Sequence, residues 1–397
     1  AAARTSEPQP AGAFAAGNPE LVFLPYYRLI GWDLGWRKPA AERRQDPSPD
    51  PFGLDPDRPD ARVAALLAKF SEEESDDVEF HVRHIERSFL ALDLPGAGLY
   101  SLGMRPNALR LELYRREAVE SLGRVVDVAI APEAALEIGR KSGDARRTAY
   151  RTVIGSILSI VYFPFWLVEI RRAGKSTRTI VDGVSRTLVE RQTSPDLLEK
   201  LGGPPAAEPA VAAFRPLVCP NCGWDLPLAA DAVIFPCRTC AKAWEIIGAE
   251  LVETRYRLAA LPDRAPAAGI EHLPFWALSA EISGESRKRY LVPGFRHRRM
   301  KSLVDLTSSL SAIDPPLEVE GGQPEEAKVC HFDETDAAEL ALFAHAGSSG
   351  SYARAERARE DSIRVDEHSL VWIPFLADPY SLRDPYGGVT IARRLLG

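Results

Sequence analysis

The chain has 397 residues and a formal net charge of −7, from 49 basic and 56 acidic side chains. That length exceeds one ordinary hydrophobic core and implies two to four modules, while 45% hydrophobic and 26% charged residues exclude disorder of the whole chain. The acidic balance argues against a protein whose main task is coating nucleic acid and leaves only a local basic patch for that role.

Residues 1–20 read as a disordered N-terminal segment. The opening AAARTSEPQP has no basic start followed by an apolar core, so it does not read as an intact signal peptide. Pro-rich stretches at 45–59, 202–216, 261–269 and 314–327 have the composition of linkers or surface loops. They suggest a first α+β module over 21–130, a second module with β-hairpins over 131–201, a four-cysteine segment over 215–251, and C-terminal α+β structure over 270–397.

Between the linkers one motif recurs: FLPYYRL at Phe23–Leu29, YFPFWLV at Tyr162–Val168, HLPFWAL at His272–Leu278 and WIPFLAD at Trp372–Asp378. Each copy sets a proline before aromatic and bulky residues inside an apolar run. Proline cannot donate to a β-ladder, so it marks an edge, a bulge or a strand start, and the aromatics bury large areas beside it. Irregular spacing argues against a solenoid and for separate related units.

The predicted elements follow in chain order. Ala61–Phe70 and Pro132–Lys141 have helical spacing. Val153–Ile170 is nearly uncharged over a length at the lower limit for a membrane span. Pro164 in its second half and its Ile, Val, Tyr, Phe and Trp content favour a buried helix followed by a strand. The strand then runs to Arg172, turns at Gly174, returns from Thr177 and turns again at Asp182-Gly183. A helix is expected over Ser194–Leu201, with Ser194 as its N-cap. The third motif copy pairs with Arg289–Phe295 across Gly284, and helices follow at Lys301–Ser311 and Asp333–His345, the latter capped by Asp333. The fold class is α+β: several small, mainly antiparallel β modules with short helices and an inserted metal module.

That module rests on Cys219-Pro-Asn-Cys222-Gly223 and Cys237-Arg-Thr-Cys240. Each CxxC forms a tight knuckle with two sulfurs aimed at one point, and four thiolates complete a tetrahedral zinc site. Gly223 lets the first knuckle turn, Val233-Ile234-Phe235 leads into the second as a strand, and Trp244 packs on the small core. In the form CPNCGW…CRTC…W the stretch from Leu217 to Leu251 resembles the zinc-ribbon superfamily, which implies one structural Zn2+ held by Cys219, Cys222, Cys237 and Cys240. Rubredoxin-like iron and a redox CxxC are the competing uses of these ligands. The short interval between the pairs and their shared focus favour zinc. The whole chain also resembles bacterial proteins that join a zinc ribbon to Pro-aromatic β units, a resemblance that implies architecture and no activity.

Other clusters are weaker. Arg287, Lys288, Arg289, Arg296, Arg298, Arg299 and Lys301 crowd one stretch, interleaved with Tyr290, Phe295 and His297. Phosphates or an anionic membrane surface attract such clusters, but in an acidic chain a solvated strand pair balancing the acidic run Glu72–Glu79 is the favoured reading. His81 and His84 could share a helix face but lack further ligands. Cys330 beside His331 reads as a buried lone cysteine, because adjacent side chains diverge. Gly96-Ala97-Gly98 and Gly202-Gly203 match no phosphate loop, and no GxSxG is present.

These observations point to a non-catalytic scaffold or accessory subunit of a larger protein complex. It would be cytoplasmic or associated with a membrane complex, with membrane contact at most peripheral. A nucleic-acid-binding protein using residues 287–301 and an enzyme whose site assembles only in space are the alternatives.

Overall fold

A computed structural model of the protein describes residues 15–16, 18–39, 77–92, 109–141, 148–172, 175–190, 216–248, 250–262, 269–320 and 326–396. The helices expected at Ala61–Phe70 and Ser194–Leu201 lie outside the described residues, as do most of the Pro-rich stretches, both Gly-rich turns and most of the acidic run. The fold is α+β and mainly antiparallel. It divides into two compact units: Ala1–Gly31, His84–Gly143 and Ser156–Arg215 form one, and Trp32–Arg83, Asp144–Gly155 and Pro216–Gly397 form the other.

The first half of the chain supplies strands β1 (Ala15–Ala16), β2 (Glu20–Arg37) and β3 (Glu79–Leu90), helix α1 (Arg116–Glu120), strand β4 (Arg124–Val125), helix α2 (Pro132–Lys141), and strands β5 (Thr148–Arg172), β6 (Lys175–Asp182) and β7 (Leu188–Glu190). They form one sheet in the order β3-β2-β5-β6-β7, with β1 on β5 and β4 on β2. Strands β2, β3 and β5 contribute residues to both units.

The first motif copy shows why this sheet carries aromatics on both faces. Adjacent strand residues point to opposite sides, and Tyr26 and Tyr27 are both buried. Tyr26 meets Phe163 and Phe165 of the second copy at ring centroids 6.4 and 6.1 Å apart. Tyr27 packs with Ala135 of α2, and its hydroxyl donates to the Ile130 carbonyl at 2.6 Å.

Val153–Ile170 is corrected by the structure. It is neither a spanning helix nor a helix followed by a strand but part of the single 25-residue strand β5. The small residues Gly155, Ser156 and Ser159 break the strict apolar alternation and suggest a helix. The β-branched and aromatic majority decides the outcome, because such side chains fit a pleated surface. Gly155 takes φ +60° inside this strand, a backbone angle suited to glycine. Among the described residues, no helix is long and apolar enough to cross a membrane.

The second half supplies β8 (Ile234–Pro236), β9 (Ala243–Ile247) and β10 (Glu250–Thr254), a three-stranded antiparallel sheet. It continues with β11 (Tyr256–Ala259), β12 (Gly269–Ile282), β13 (Lys288–Pro293), α3 (Met300–Ile313), β14 (Leu317–Glu320), α4 (Glu334–Gly347), α5 (Tyr352–Arg357), β15 (Ile363–Ala377), β16 (Ser381–Arg383) and β17 (Thr390–Ala392). The central pair is β12 with β15, which places the third and fourth motif copies side by side: His272 opposes Pro374 and Pro274 opposes Trp372. Phe275 and Phe375 stack with centroids 6.0 Å apart. The buried indoles find acceptors, as such groups must: Trp276 donates to the Phe332 carbonyl at 2.8 Å and Trp372 to the Lys328 carbonyl at 3.0 Å.

Helix α4 begins where expected, with the Asp333 carboxylate accepting the Asp336 N–H at 2.8 Å. Its residues Leu340, Ala341, Phe343, Ala344 and Ala346 are buried, so the helix is apolar almost all round and lies inside the core. The expected helices at Pro132–Lys141 and Lys301–Ser311, and the hairpins at Gly174, Asp182-Gly183 and Gly284, are present as α2, α3, β5–β6, β6–β7 and β12–β13.

Candidate metal centre

Two short loops build the metal centre, and they repeat one another residue for residue. In the first, the Cys219 N–H donates to the Trp224 carbonyl at 2.8 Å and the Gly223 N–H donates to the Cys219 carbonyl at 2.8 Å. In the second, Cys237 donates to Lys242 at 2.7 Å and Ala241 to Cys237 at 3.2 Å. The residue after each second cysteine is left-handed, with φ +74° at Gly223 and +56° at Ala241. This conformation is what folds four residues back tightly enough to aim both sulfurs inward.

The loops bring the four sulfurs together. Cys219 and Cys240 have Sγ atoms 3.5 Å apart, Cys222 and Cys237 3.6 Å apart, and all four lie within 4.8 Å of one another. Ligands at about 2.3 Å from a tetrahedral centre stand about 3.8 Å apart, so the site has the size of a four-thiolate metal site. Trp244 donates its indole N–H to Cys219 Sγ at 3.1 Å, a contact that favours the thiolate. Leu226, Ala232, Phe235 and Trp244 close a small core around Cys219 and Cys237.

The protons are unevenly held. Burial opposes ionisation of Cys219, but the backbone N–H groups of Cys222 and Asn221 outweigh it and bring its thiol down to about 7. The Trp224 N–H favours the Cys222 thiolate, yet burial and the other cysteines push that thiol up to about 12. Burial likewise raises Cys240. Four adjacent thiolates without a cation repel one another, and a divalent cation removes that conflict. The donor set therefore fits a metal ion.

The metal module is stitched to the C-terminal structure through β8. The Cys330 N–H donates to the Ile234 carbonyl at 2.9 Å, and the Cys330 carbonyl accepts from Val233 at 2.7 Å. Tyr256 donates its hydroxyl to the Ala241 carbonyl at 2.7 Å. Cys330 is fully buried, and burial pushes its thiol far up, which suits the inert packing role expected of it.

The basic stretch is dispersed by the fold. Arg287 pairs with Asp366 at 2.6 Å, Arg289 with Asp314, Arg296 with Asp231 at 2.7 Å and Lys301 with Asp305 at 2.8 Å. Lys288 sits 4.6 Å from the Tyr290 ring centroid. Arg298 and Arg299 are exposed, with no ion pair among the described residues. The interleaved Tyr290, Phe295 and His297 are buried and so turned away from any stacking partner.

His81 and His84 are corrected: they lie on strand β3, not on a helix, and an odd separation along a strand sends them to opposite faces.

Two polar sites gave little sequence signal. Asp33, 3% exposed, is held by Arg151 at 2.6 Å and Arg83 at 3.0 Å. Glu271, 1% exposed, contacts Lys328 at 3.0 Å and also Arg393. A carboxylate inside an apolar strand run, as in GIEHLPFW, is the one available hint. Its cationic partners lie far along the chain.

Comparison with protein-family models, with curated proteins and with solved structures finds no match for this chain.

Proposed function

We propose that the chain is a non-catalytic scaffold or accessory subunit of a protein complex, and that Cys219, Cys222, Cys237 and Cys240 hold one structural zinc ion. The observation that carries this reading is the surface of the metal module. Trp224 is 63% exposed and Leu228 93% exposed, and Ile246 and Ile247 of the same module are also exposed. Large exposed apolar residues on a rigid support are characteristic of contact sites, and Trp is prominent among binding hot spots. Four protein thiolates fill a tetrahedral coordination sphere, which supports a stabilising ion over a catalytic one. Internal pairing of four of the seven cations at 287–301 weakens the attraction for phosphates and favours a protein partner over nucleic acid.

The test places a photo-crosslinking amino acid at position 224 or 228 in the native host. A protein cross-linked at both positions that also co-purifies in fixed stoichiometry supports the reading. A chain that remains monomeric and uncross-linked overturns it, and cross-linked nucleic acid replaces it with the alternative.

A further inference from the structure

A cleft of about 330 Å³ lies where the chain passes from β10 into β11 beside the paired strands β12 and β15, within one compact unit. Its volume falls in the range of small-molecule sites. Trp276, Leu370 and Tyr256 stand in one row across β12, β15 and β11, because Leu370 is opposite Trp276 on one side and Tyr256 on the other. They form an apolar floor. The polar atoms of its rings are already engaged: the Trp276 indole donates to the Phe332 carbonyl at 2.8 Å and the Tyr256 hydroxyl to the Ala241 carbonyl at 2.7 Å. The floor therefore offers ring and aliphatic surface.

Charged groups of both signs also line the cleft. Glu334 is matched by His368, whose Nδ1 lies 3.0 Å away. Glu245, half-buried on β9, makes no hydrogen bond or ion pair among the described residues. Neither does Arg255, exposed in the link between β10 and β11. The two line one cleft but do not pair with each other. Burial, and after it the charge of Asp333, holds the Glu245 carboxyl above its ordinary value, the mark of a carboxylate short of a cation. A ligand of a single charge would answer Glu245 or Arg255 and leave the other unmatched, whereas a zwitterion answers both.

We propose that this cleft binds a free α-amino acid with an apolar side chain: Glu245 receives its ammonium, Arg255 its carboxylate, and Trp276, Tyr256 and Leu370 its side chain. Ammonium and carboxylate flank a single carbon, so one ligand spans an anion and a cation that stand too far apart to pair. The guanidinium fork suits a carboxylate. The site is independent of the partner surface at Trp224 and Leu228.

The experiment is isothermal titration of the full, metal-loaded chain with L-phenylalanine. Hydrocinnamate, which lacks the ammonium, and phenethylamine, which lacks the carboxylate, are separate arms. One-site binding of L-phenylalanine is expected, with each analogue at least about tenfold weaker, or about 1.4 kcal/mol. Glu245→Gln should weaken L-phenylalanine about tenfold and leave hydrocinnamate unchanged. Arg255→Gln should weaken L-phenylalanine and leave phenethylamine unchanged. Because Arg255 is exposed, its variant tests the site even where Glu245→Gln disturbs β9. Absence of L-phenylalanine binding, or binding unchanged in both variants, overturns the site. An analogue that binds as tightly as L-phenylalanine overturns the role given to the charge it lacks.

Discussion

The backbone N–H of Gly294 donates to the carbonyl of Pro274 at 2.8 Å, and Gly183 makes the same bond to Pro164 at 2.9 Å. In both cases a Pro-aromatic strand is followed by a hairpin return, and the glycine just past the return strand closes onto the proline. Ala91, just past β3, bonds the carbonyl of Pro25 at 2.9 Å, so the first motif copy takes the same kind of bond. The recurring motif thus marks a repeated local geometry in which proline has no donor to give and its carbonyl anchors a neighbouring chain.

At the two glycines the surroundings leave no room for a side chain. A Cβ on Gly294 would stand 2.5 Å from Cys330 Sγ, and one on Gly183 would stand 2.7 Å from the Pro164 carbonyl oxygen. Gly294→Ala and Gly183→Ala are each expected to cost about 1–3 kcal/mol in urea unfolding, the usual range for overpacking. Gly269→Ala, whose nearest neighbours lie at 3.8 Å, should change stability little.

The four-cysteine cluster and most local elements were legible because they depend on near neighbours in sequence. Two CxxC pairs, the Asp333 cap and the turns at Gly174 and Gly284 all lie within a few residues of what they control. The strand Thr148–Arg172 was only half legible, since burial on a pleated sheet and burial in a helix leave similar apolar runs. The buried ion pairs of Glu271 were barely legible. Glu271 and Arg393 are more than one hundred residues apart and meet only because the fold brings them together. The basic stretch misled for the complementary reason. Its carboxylate partners Asp231, Asp314 and Asp366 lie outside it, so charge density along the chain overstated charge density on the surface.

Replacing a buried ligand should remove both the metal and the local structure. On the proposed reading, Cys237→Ser is expected to abolish stoichiometric metal binding. It should also release the protected amides of Gly223, Cys237 and Ala241, because metal binding is folding free energy in such modules. The β8 bonds to Cys330 carry the effect to the segment 328–332. The amides of β12 and β15 should keep their protection. Metal analysis with hydrogen exchange on the same sample checks both halves, and retention of the knuckle amides after metal loss would contradict the structural role.

The buried charge at Asp33 gives a different prediction. Burial alone would raise its carboxyl, but the hydrogen bond and charge of Arg151, then those of Arg83, outweigh it and hold it below the usual value of 3.8. The folded value is depressed, so the contribution is fully present above the unfolded value and is lost as pH falls through the folded one. Asp33→Asn removes a carboxylate charge from beside Arg151, whose side chain is only 14% exposed. The expected loss at neutral pH is about 3 kcal/mol, the lower end for breaking a buried pair. Arg83→Gln, at a side chain 44% exposed, should cost well under that. Equal losses in the two variants would refute the ranking.

Two buried histidines and one half-buried one should make the fold sensitive to mild acid. Burial lowers His297, His331 and His345 from the ordinary value of 6.5, and nearby arginines add to the effect in each case. Each folded value lies below the unfolded one, so between the two the unfolded chain binds more protons. Stability from these groups is therefore complete above 6.5 and declines as pH falls below it, levelling off once the folded values are passed. Urea midpoints of the metal-loaded chain should be lower at about pH 5.5 than at about pH 7.5, with unchanged slope. Protonation of the cysteines also favours unfolding in acid, so the bound metal is measured in the same samples. In His345→Gln the decline should shrink while metal content stays that of the parent. A decline that follows metal loss alone, and is untouched by that substitution, would assign acid sensitivity to the cysteines.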